Sequence, residues 1–355
     1  MSKFLNSSLR SLLPYTPGEQ PRDKKYIKLN TNESPYAPSP LVREAVTEEL
    51  CRDLRLYPDP TLKELKEAIA EKYKLPAEQI FVANGSDDVL AFCFMAFGEG
   101  GFACPDITYG FYPVFSELFN CELIEIPLRE DFSIAYEDYI SINRNIIIAN
   151  PNAPTGLLLK EQDIKKIAES NPNNIVIIDE AYIDFSGSIG SLKLLEELDN
   201  IIIVQTFSKS RALAGLRIGY AMASKDIIED LTKVKYSFNP YNINSLSIKA
   251  ATAALQDKSY YEAIVNKIIN TRERTKKSLD ALGFYYLDSK ANFILATHER
   301  VPGEYLYKEL KERGVLVRYF NKEIINNYIR ITIGTEEQMD ILLKELKKIV
   351  EGWIG

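Results

Sequence analysis

The feature that most limits how this chain can fold is an alternation that runs through its middle. Short runs of apolar, mostly β-branched residues are each followed by a longer amphipathic stretch with helical spacing. Several runs, such as Ile146-Ile147-Ile148 and Ile175-Val176-Ile177-Ile178, are apolar at consecutive positions. A strand with one wet face alternates apolar and polar residues, so these strands must be covered on both faces. The expectation is an α/β fold: a mostly parallel, seven-stranded sheet covered by helices, with strands over residues 79–82, 101–103, 122–126, 145–149, 174–178, 201–205 and 218–221.

A smaller α+β domain should follow. Over residues 259–282, Ile264, Ile268 and Ile269 recur at helical spacing among Lys, Arg and Glu, which reads as one long exposed helix linking two lobes. Beyond it, strands are expected over 293–296, 315–318 and 328–333, with helices over 303–312 and 336–352. The opening segment, with Asn30-Thr31-Asn32-Glu33-Ser34-Pro35, reads as an irregular arm. The division is therefore an arm over 1–40 that joins the small domain, a large domain over 41–258, and a linking helix with the small domain over 259–355.

Charge and composition remove whole classes of function. Forty-three Lys plus Arg against 50 Asp plus Glu leave a net charge of −7, which offers no general attraction to nucleic acid or anionic lipid. The longest apolar run, Val89 to Phe97, falls far short of the ~18 residues of a spanning helix, and the chain starts without an apolar signal core, so no membrane association is expected. Phe92, Phe94 and Phe97 within it read as core. The four cysteines form no C-x-x-C pair, which argues against a disulfide framework or a thiolate metal site and for a reducing cytoplasm. A single histidine, His298, leaves no material for Ser-His-Asp, Cys-His or multi-histidine zinc chemistry, and its polar surroundings read as surface. The basic run from Arg272 to Lys277 reads as a solvated helix face.

In an open parallel sheet, ligands bind beyond the carboxyl ends of the strands. Three successive strands end in Asn150-Pro151-Asn152-Ala153-Pro154-Thr155-Gly156, Asp179-Glu180-Ala181-Tyr182 and Thr206-Phe207-Ser208-Lys209. Each alone has an ordinary structural role as a turn, a helix cap or a surface charge. Together they bring an amide, a carboxylate and an amine to one edge. A desolvated lysine amine attacks carbonyls, and pyridoxal phosphate supplies an aldehyde on a pyridine whose nitrogen an aspartate keeps protonated. Lys209 and Asp179 fit these roles. The cofactor's phosphate needs donors, and Asn84-Gly85-Ser86-Asp87 opens an apolar helix whose backbone N–H groups and dipole favour an anion, with Ser208 and Arg217 completing the set.

With these residues placed, the chain resembles the fold type I pyridoxal-phosphate aminotransferases, and within them the histidinol-phosphate aminotransferase family. The resemblance is carried by Leu29-Asn30-Thr31-Asn32-Glu33, Tyr57-Pro58-Asp59, Asn84-Gly85-Ser86-Asp87, Pro105-Asp106-Ile107-Thr108-Tyr109, Pro154-Thr155-Gly156, Asp179-Glu180-Ala181-Tyr182, Thr206-Phe207-Ser208-Lys209, Leu213 to Tyr220, and Tyr328 to Thr335. It implies that Lys209 forms a Schiff base and moves the proton, Asp179 pairs with the pyridinium, Tyr182 bonds the ring hydroxyl and Tyr109 stacks on the ring. Phosphate contacts fall to Gly85, Ser86, Asp87, Thr206, Ser208 and Arg217. Tyr57 reaches the neighbouring subunit's cofactor, which implies a homodimer with shared active sites. The implied substrate set is Tyr15, Asn32, Arg318 and Arg330, the two arginines gripping a substrate phosphate while Tyr15 closes over it.

Two positions depart from the family's pattern. The family reads Asn-Pro-Thr-Gly where this chain has Ala153 before Pro154, so the ring-hydroxyl contact falls to Asn152, to a water or to Tyr182 alone. After the lysine stand Ser210 and Arg211, a cation near the site or on the surface. The resemblance implies a transaminase moving an amino group between histidinol phosphate and a 2-oxo acid, with no metal. The alternatives are an aminotransferase for aromatic amino acids, a decarboxylase of a phosphorylated amino acid, and a non-catalytic regulator.

Overall fold

The computed structural model describes residues 3–353. A short strand near the start, β1 (Ile27–Lys28), precedes the seven strands of the main sheet. These are β2 (Ile80–Ala83), β3 (Phe102–Pro105), β4 (Leu123–Ile126), β5 (Asn145–Ala149), β6 (Val176–Asp179), β7 (Ile201–Thr206) and β8 (Gly219–Ala223), in the order β2-β8-β7-β6-β5-β3-β4. The pairs β3–β4, β3–β5, β5–β6 and β6–β7 are parallel. Strand β8 runs antiparallel to β7 and to β2. No α-helix lies between β7 and β8, only a loop with one 3-10 turn that carries Lys209, whereas parallel returns are usually made through a helix.

The apolar runs explain the layering. Ile146, Ile148, Val176, Ile178, Ile201 and Ile203 pack into one hydrophobic cluster, whereas Ile147, Ile177, Ile202 and Val204 pack into another. Successive side chains on a strand point to opposite faces, so both faces are dry. Helices Lys63–Tyr73, Glu161–Ser170 and Ser245–Gln256 contribute to the first cluster; Ser86–Phe97, Phe111–Leu118 and Lys225–Phe238 contribute to the second.

The carboxyl-terminal part builds a four-stranded antiparallel sheet in the order β12-β13-β10-β9, from β9 (Phe284–Tyr286), β10 (Phe293–His298), β12 (Arg318–Tyr319) and β13 (Ile329–Thr332). Between β10 and β12, β11 (Val315–Leu316) pairs in parallel with β1. The expected strand over 315–318 is thus split: its first half holds the amino-terminal arm and its second half joins the sheet. Strand β9 escaped the sequence reading because its three residues, Phe284-Tyr285-Tyr286, show no alternation.

Helix Lys258–Ala281 matches the expected linking helix in extent but is not an exposed rod, because Tyr261, Ile264, Ile268, Arg272, Lys276 and Leu279 are buried. Within the basic run, Arg272 and Lys276 are therefore not solvated, whereas Lys277 is exposed. Arg272 Nη1 donates to the carbonyls of Phe185 and Ala291 at 3.1 and 2.8 Å, and Lys276 Nζ donates to Asp288 Oδ1 at 2.8 Å and the Ser289 carbonyl at 3.1 Å. Glu273 of the same helix pairs with both cations, but the carbonyls and the Asp288 carboxylate that hold them buried lie outside the helix, where local charge density could not reveal them. His298 is also buried, not on the surface: its Nδ1 accepts the N–H groups of Arg300 and Val301, both at 3.2 Å, and burial lowers its pKa. Among the described residues no helix is long and apolar enough to cross a membrane.

Candidate active site

Strands β5, β6 and β7 are parallel neighbours, with Ala149 opposite Asp179 and Asp179 opposite Val204, so their last residues share one sheet edge. Two adjoining cavities open there, of about 450 and 330 Å³. Thr31, Tyr109, Ala153, Tyr182 and Lys209 line both. Lys209 follows β7 by three residues, and its Nζ donates to the Thr31 carbonyl at 3.3 Å and lies 5.7 Å from the Tyr182 ring centroid.

The smaller cavity has the makings of a pyridoxal-phosphate site. Asp179 lines it, buried, with Oδ2 accepting from the Tyr112 hydroxyl at 3.0 Å and Oδ1 from the Ala181 N–H at 3.2 Å. Burial pushes its pKa up to about 6, while those two donors pull it down. The next residue, Glu180, points away to Ser191 N–H at 2.6 Å and Gln205 Nε2 at 3.0 Å, and burial pushes it up to about 7.

At the opposite wall, helix Ser86–Phe97 begins without a side-chain cap. Gly85 precedes it at φ +91°, and a Cβ there would lie 2.5 Å from Arg217 Nη2. Arg217 Nη2 donates to Asp87 Oδ2 at 3.0 Å and its Nη1 reaches Ser208 Oγ at 3.5 Å, while Thr206 Oγ1 bonds Ser208 Oγ at 3.0 Å. Ser86, Asp87, Thr206, Ser208 and Arg217 all line this cavity. Uncapped N–H groups, hydroxyls and a guanidinium are donors that could cradle a phosphate. Tyr109, hydrogen-bonded to Asp87 Oδ1 at 2.7 Å, forms a wall shared with the second cavity.

The larger cavity is lined by Tyr15, Asn32, Lys322, Arg318 and Arg330. Arg330 lies between the Phe293 and Phe320 rings, 5.2 and 5.4 Å from their centroids, and donates to the Asn30 carbonyl at 3.2 Å. Among the described residues its buried Nε has no hydrogen-bond partner, which leaves a donor that an anionic ligand could use. Arg318 donates to the carbonyls of Thr16 and Pro17 at 2.9 and 3.2 Å, and Tyr15 beside them stacks on Phe111 at 4.3 Å.

Other expected residues lie elsewhere. Asn152 does not line either cavity: its Nδ2 donates to the Ile107 carbonyl at 2.9 Å and Thr155 Oγ1 at 3.1 Å, and its Oδ1 accepts from Thr108 at 2.8 Å. That amide is used to hold the turn. Tyr57 is 83% exposed, stacked on Tyr241 at 4.7 Å and outside both cavities of its own chain. Ser210 turns from the site to bond Asp184, and Arg211 lies over the Tyr261 ring at 5.2 Å in a separate cavity. Tyr112, Thr31 and Lys322 were missed by sequence reasoning. Tyr112 stands three residues after Tyr109, on the helix that follows β3, and nothing local marks it as a neighbour of Asp179.

A buried carboxylate, a lysine and a set of anion donors lining one cavity on the carboxyl edge of this sheet match the fold type I class of aminotransferases. The profile of the family described as aminotransferase class I and II matches residues 24–346, and the chain belongs to that family. It is 54% identical to the histidinol-phosphate aminotransferase of Brachyspira hyodysenteriae over 99% of this chain and 100% of that protein. Identity to the histidinol-phosphate aminotransferase of Clostridium beijerinckii is 49%, over 99% and 98% of the two chains. The solved histidinol-phosphate aminotransferase of Sinorhizobium meliloti, in complex with pyridoxal-5'-phosphate, shares the fold with a TM-score of 0.88 and 24% identity, covering 99% of this chain and 98% of that one.

Proposed function

We propose that the protein is a pyridoxal-phosphate-dependent histidinol-phosphate aminotransferase, passing the amino group to a 2-oxo acid. The observation that carries this reading is the position of Lys209 where a phosphate cradle and an arginine-lined cavity meet. When bound, pyridoxal phosphate supplies an aldehyde for amines and a cationic ring that draws electrons from the substrate's alpha carbon. Gly85, Ser86, Asp87, Thr206, Ser208 and Arg217 hold its phosphate. Asp179 keeps the ring nitrogen protonated through a charge-assisted hydrogen bond worth roughly 1.5–3 kcal/mol. Tyr182 would donate to the ring hydroxyl and Tyr109 would flank the ring.

Lys209 Nζ, held by the Thr31 carbonyl until it reacts, carries the proton to and from the alpha carbon. Arg330 and Arg318 bind the substrate's phosphate, or the carboxylate of the 2-oxo acid in the second half-reaction. Tyr15 covers that anion and excludes water. Tyr57, exposed here, serves the partner's cradle in a homodimer with shared sites. The free cysteines suit a cytoplasmic setting.

The test is reduction of the cofactor-loaded protein with borohydride, peptide mapping, and turnover with a panel of amino donors. The expected result is one adduct, at Lys209, lost in Lys209→Ala together with turnover, and preference for histidinol phosphate. Brisk turnover of phenylalanine without histidinol phosphate, or release of carbon dioxide from a phosphorylated amino acid, would reject the substrate assignment. A colourless protein with no adduct would reject the cofactor.

A further inference from the structure

Among the described residues, the Tyr182 hydroxyl has one hydrogen-bond partner, Asn32. The orientation of that amide is fixed by its neighbour. Thr332 Oγ1 accepts the backbone N–H of Asn32 at 3.0 Å, so its single hydrogen goes to Asn32 Oδ1, also at 3.0 Å. Asn32 Nδ2 therefore faces the phenol and donates to the Tyr182 oxygen at 3.0 Å. The residue is locked: it is 1% exposed, it holds φ +55°, and its carbonyl accepts from Asn292 Nδ2 at 3.0 Å.

A hydroxyl whose oxygen already accepts a bond keeps its own hydrogen for another acceptor, and accepting makes it a stronger donor. Tyr182 lines both cavities, so that hydrogen is available to a ligand. On the same walls Ala153 offers only a methyl group, and the adjacent amide of Asn152 is spent on the turn. We propose that Asn32 is a positioning residue for Tyr182: it directs the phenol hydrogen onto the ring-hydroxyl oxygen of the cofactor and takes over the role of the amide absent at 153.

This rests on the reading of the smaller cavity as a pyridoxal-phosphate site. A stronger donor on the ring oxygen withdraws negative charge from it. When the cofactor is bound through Lys209, the proton on the linking nitrogen would then be held less tightly. Removing Asn32 should raise the titration midpoint of that nitrogen.

The experiment is a pH titration of the visible absorbance of the holoenzyme. In Asn32→Gly, which accepts a positive φ, the midpoint should rise by about half a pH unit or more, a roughly threefold change in proton affinity. Adding Ala153→Asn to that variant should bring the midpoint back toward the wild-type value. Thr332→Val, which frees the amide to flip, should shift it in the same direction and serves if the glycine variant does not fold. An unmoved midpoint in the folded variants, or no recovery with Ala153→Asn, would overturn the assignment. A wild-type protein that forms no chromophore would instead sink the cofactor reading.

Discussion

Arg318 and Arg330 are direct partners across the antiparallel pair of β12 and β13, so two guanidinium groups leave the sheet on one face. Like charges placed this way repel. Their hydrogen-bond partners are backbone carbonyls, those of Thr16 and Pro17 for Arg318 and that of Asn30 for Arg330. Burial lowers the pKa of Arg330. One doubly charged anion bound between them would relieve the repulsion and give the Arg330 Nε a partner.

Inorganic phosphate should therefore raise the unfolding midpoint of the holoenzyme, by about 2.7 kcal/mol in stability at a hundredfold excess over Kd. In Arg330→Met that rise should vanish, and KM for histidinol phosphate should increase roughly 10- to 100-fold, as the loss of one charge-assisted bond demands. Thermal unfolding with and without phosphate checks the first statement and steady-state kinetics the second. An undiminished phosphate response in the variant would dissociate Arg330 from the anion.

The carboxyl of Asp179, pushed up to about 6, sets a pH dependence for the cofactor-free protein. Between about pH 4 and 6 the folded state holds a proton that the unfolded state has lost, so the slope of stability against pH is negative there. The stabilisation is present below pH 4 and is gone above about pH 6. Against Asp179→Asn, which does not titrate, the wild type should lose on the order of 2 kcal/mol between about pH 4.5 and 7.5. Urea unfolding of both proteins at the two pH values measures it; a gap independent of pH contradicts the burial.

Arg272 gives a prediction about stability alone. Arg272→Met leaves the Phe185 and Ala291 carbonyls without their donor inside the protein, which should cost about 2–4 kcal/mol. Lys277→Met, on the exposed side of the same helix, should change stability by less than about 0.5 kcal/mol. Equal effects in urea unfolding would show that position 272 is no more than a surface charge.

What could be read in advance follows the range of the forces. The β5 to β7 edges were legible because a strand and the residues that end it are contiguous, and Asp179 and Lys209 each announced themselves at the end of an apolar run. The cradle at Gly85 was legible for the same reason. Asn152 was not: whether its amide enters the cavity or closes the turn depends on Ile107 and Thr108, which arrive from another strand. The burial of Arg272, Lys276 and His298 was hidden likewise.

The sequence by itself therefore determined the layered α/β architecture, the edge that carries the site, and the identity of its amine, carboxylate and anion cradle, because hydrophobic periodicity and strand ends are local properties. Only the tertiary structure decided that Tyr112 bonds Asp179, that Arg318 faces Arg330, and that Asn32 bonds Tyr182. Each of those contacts joins side chains on separate elements, and a hydrogen bond exists only at the few tenths of an ångström that packing sets.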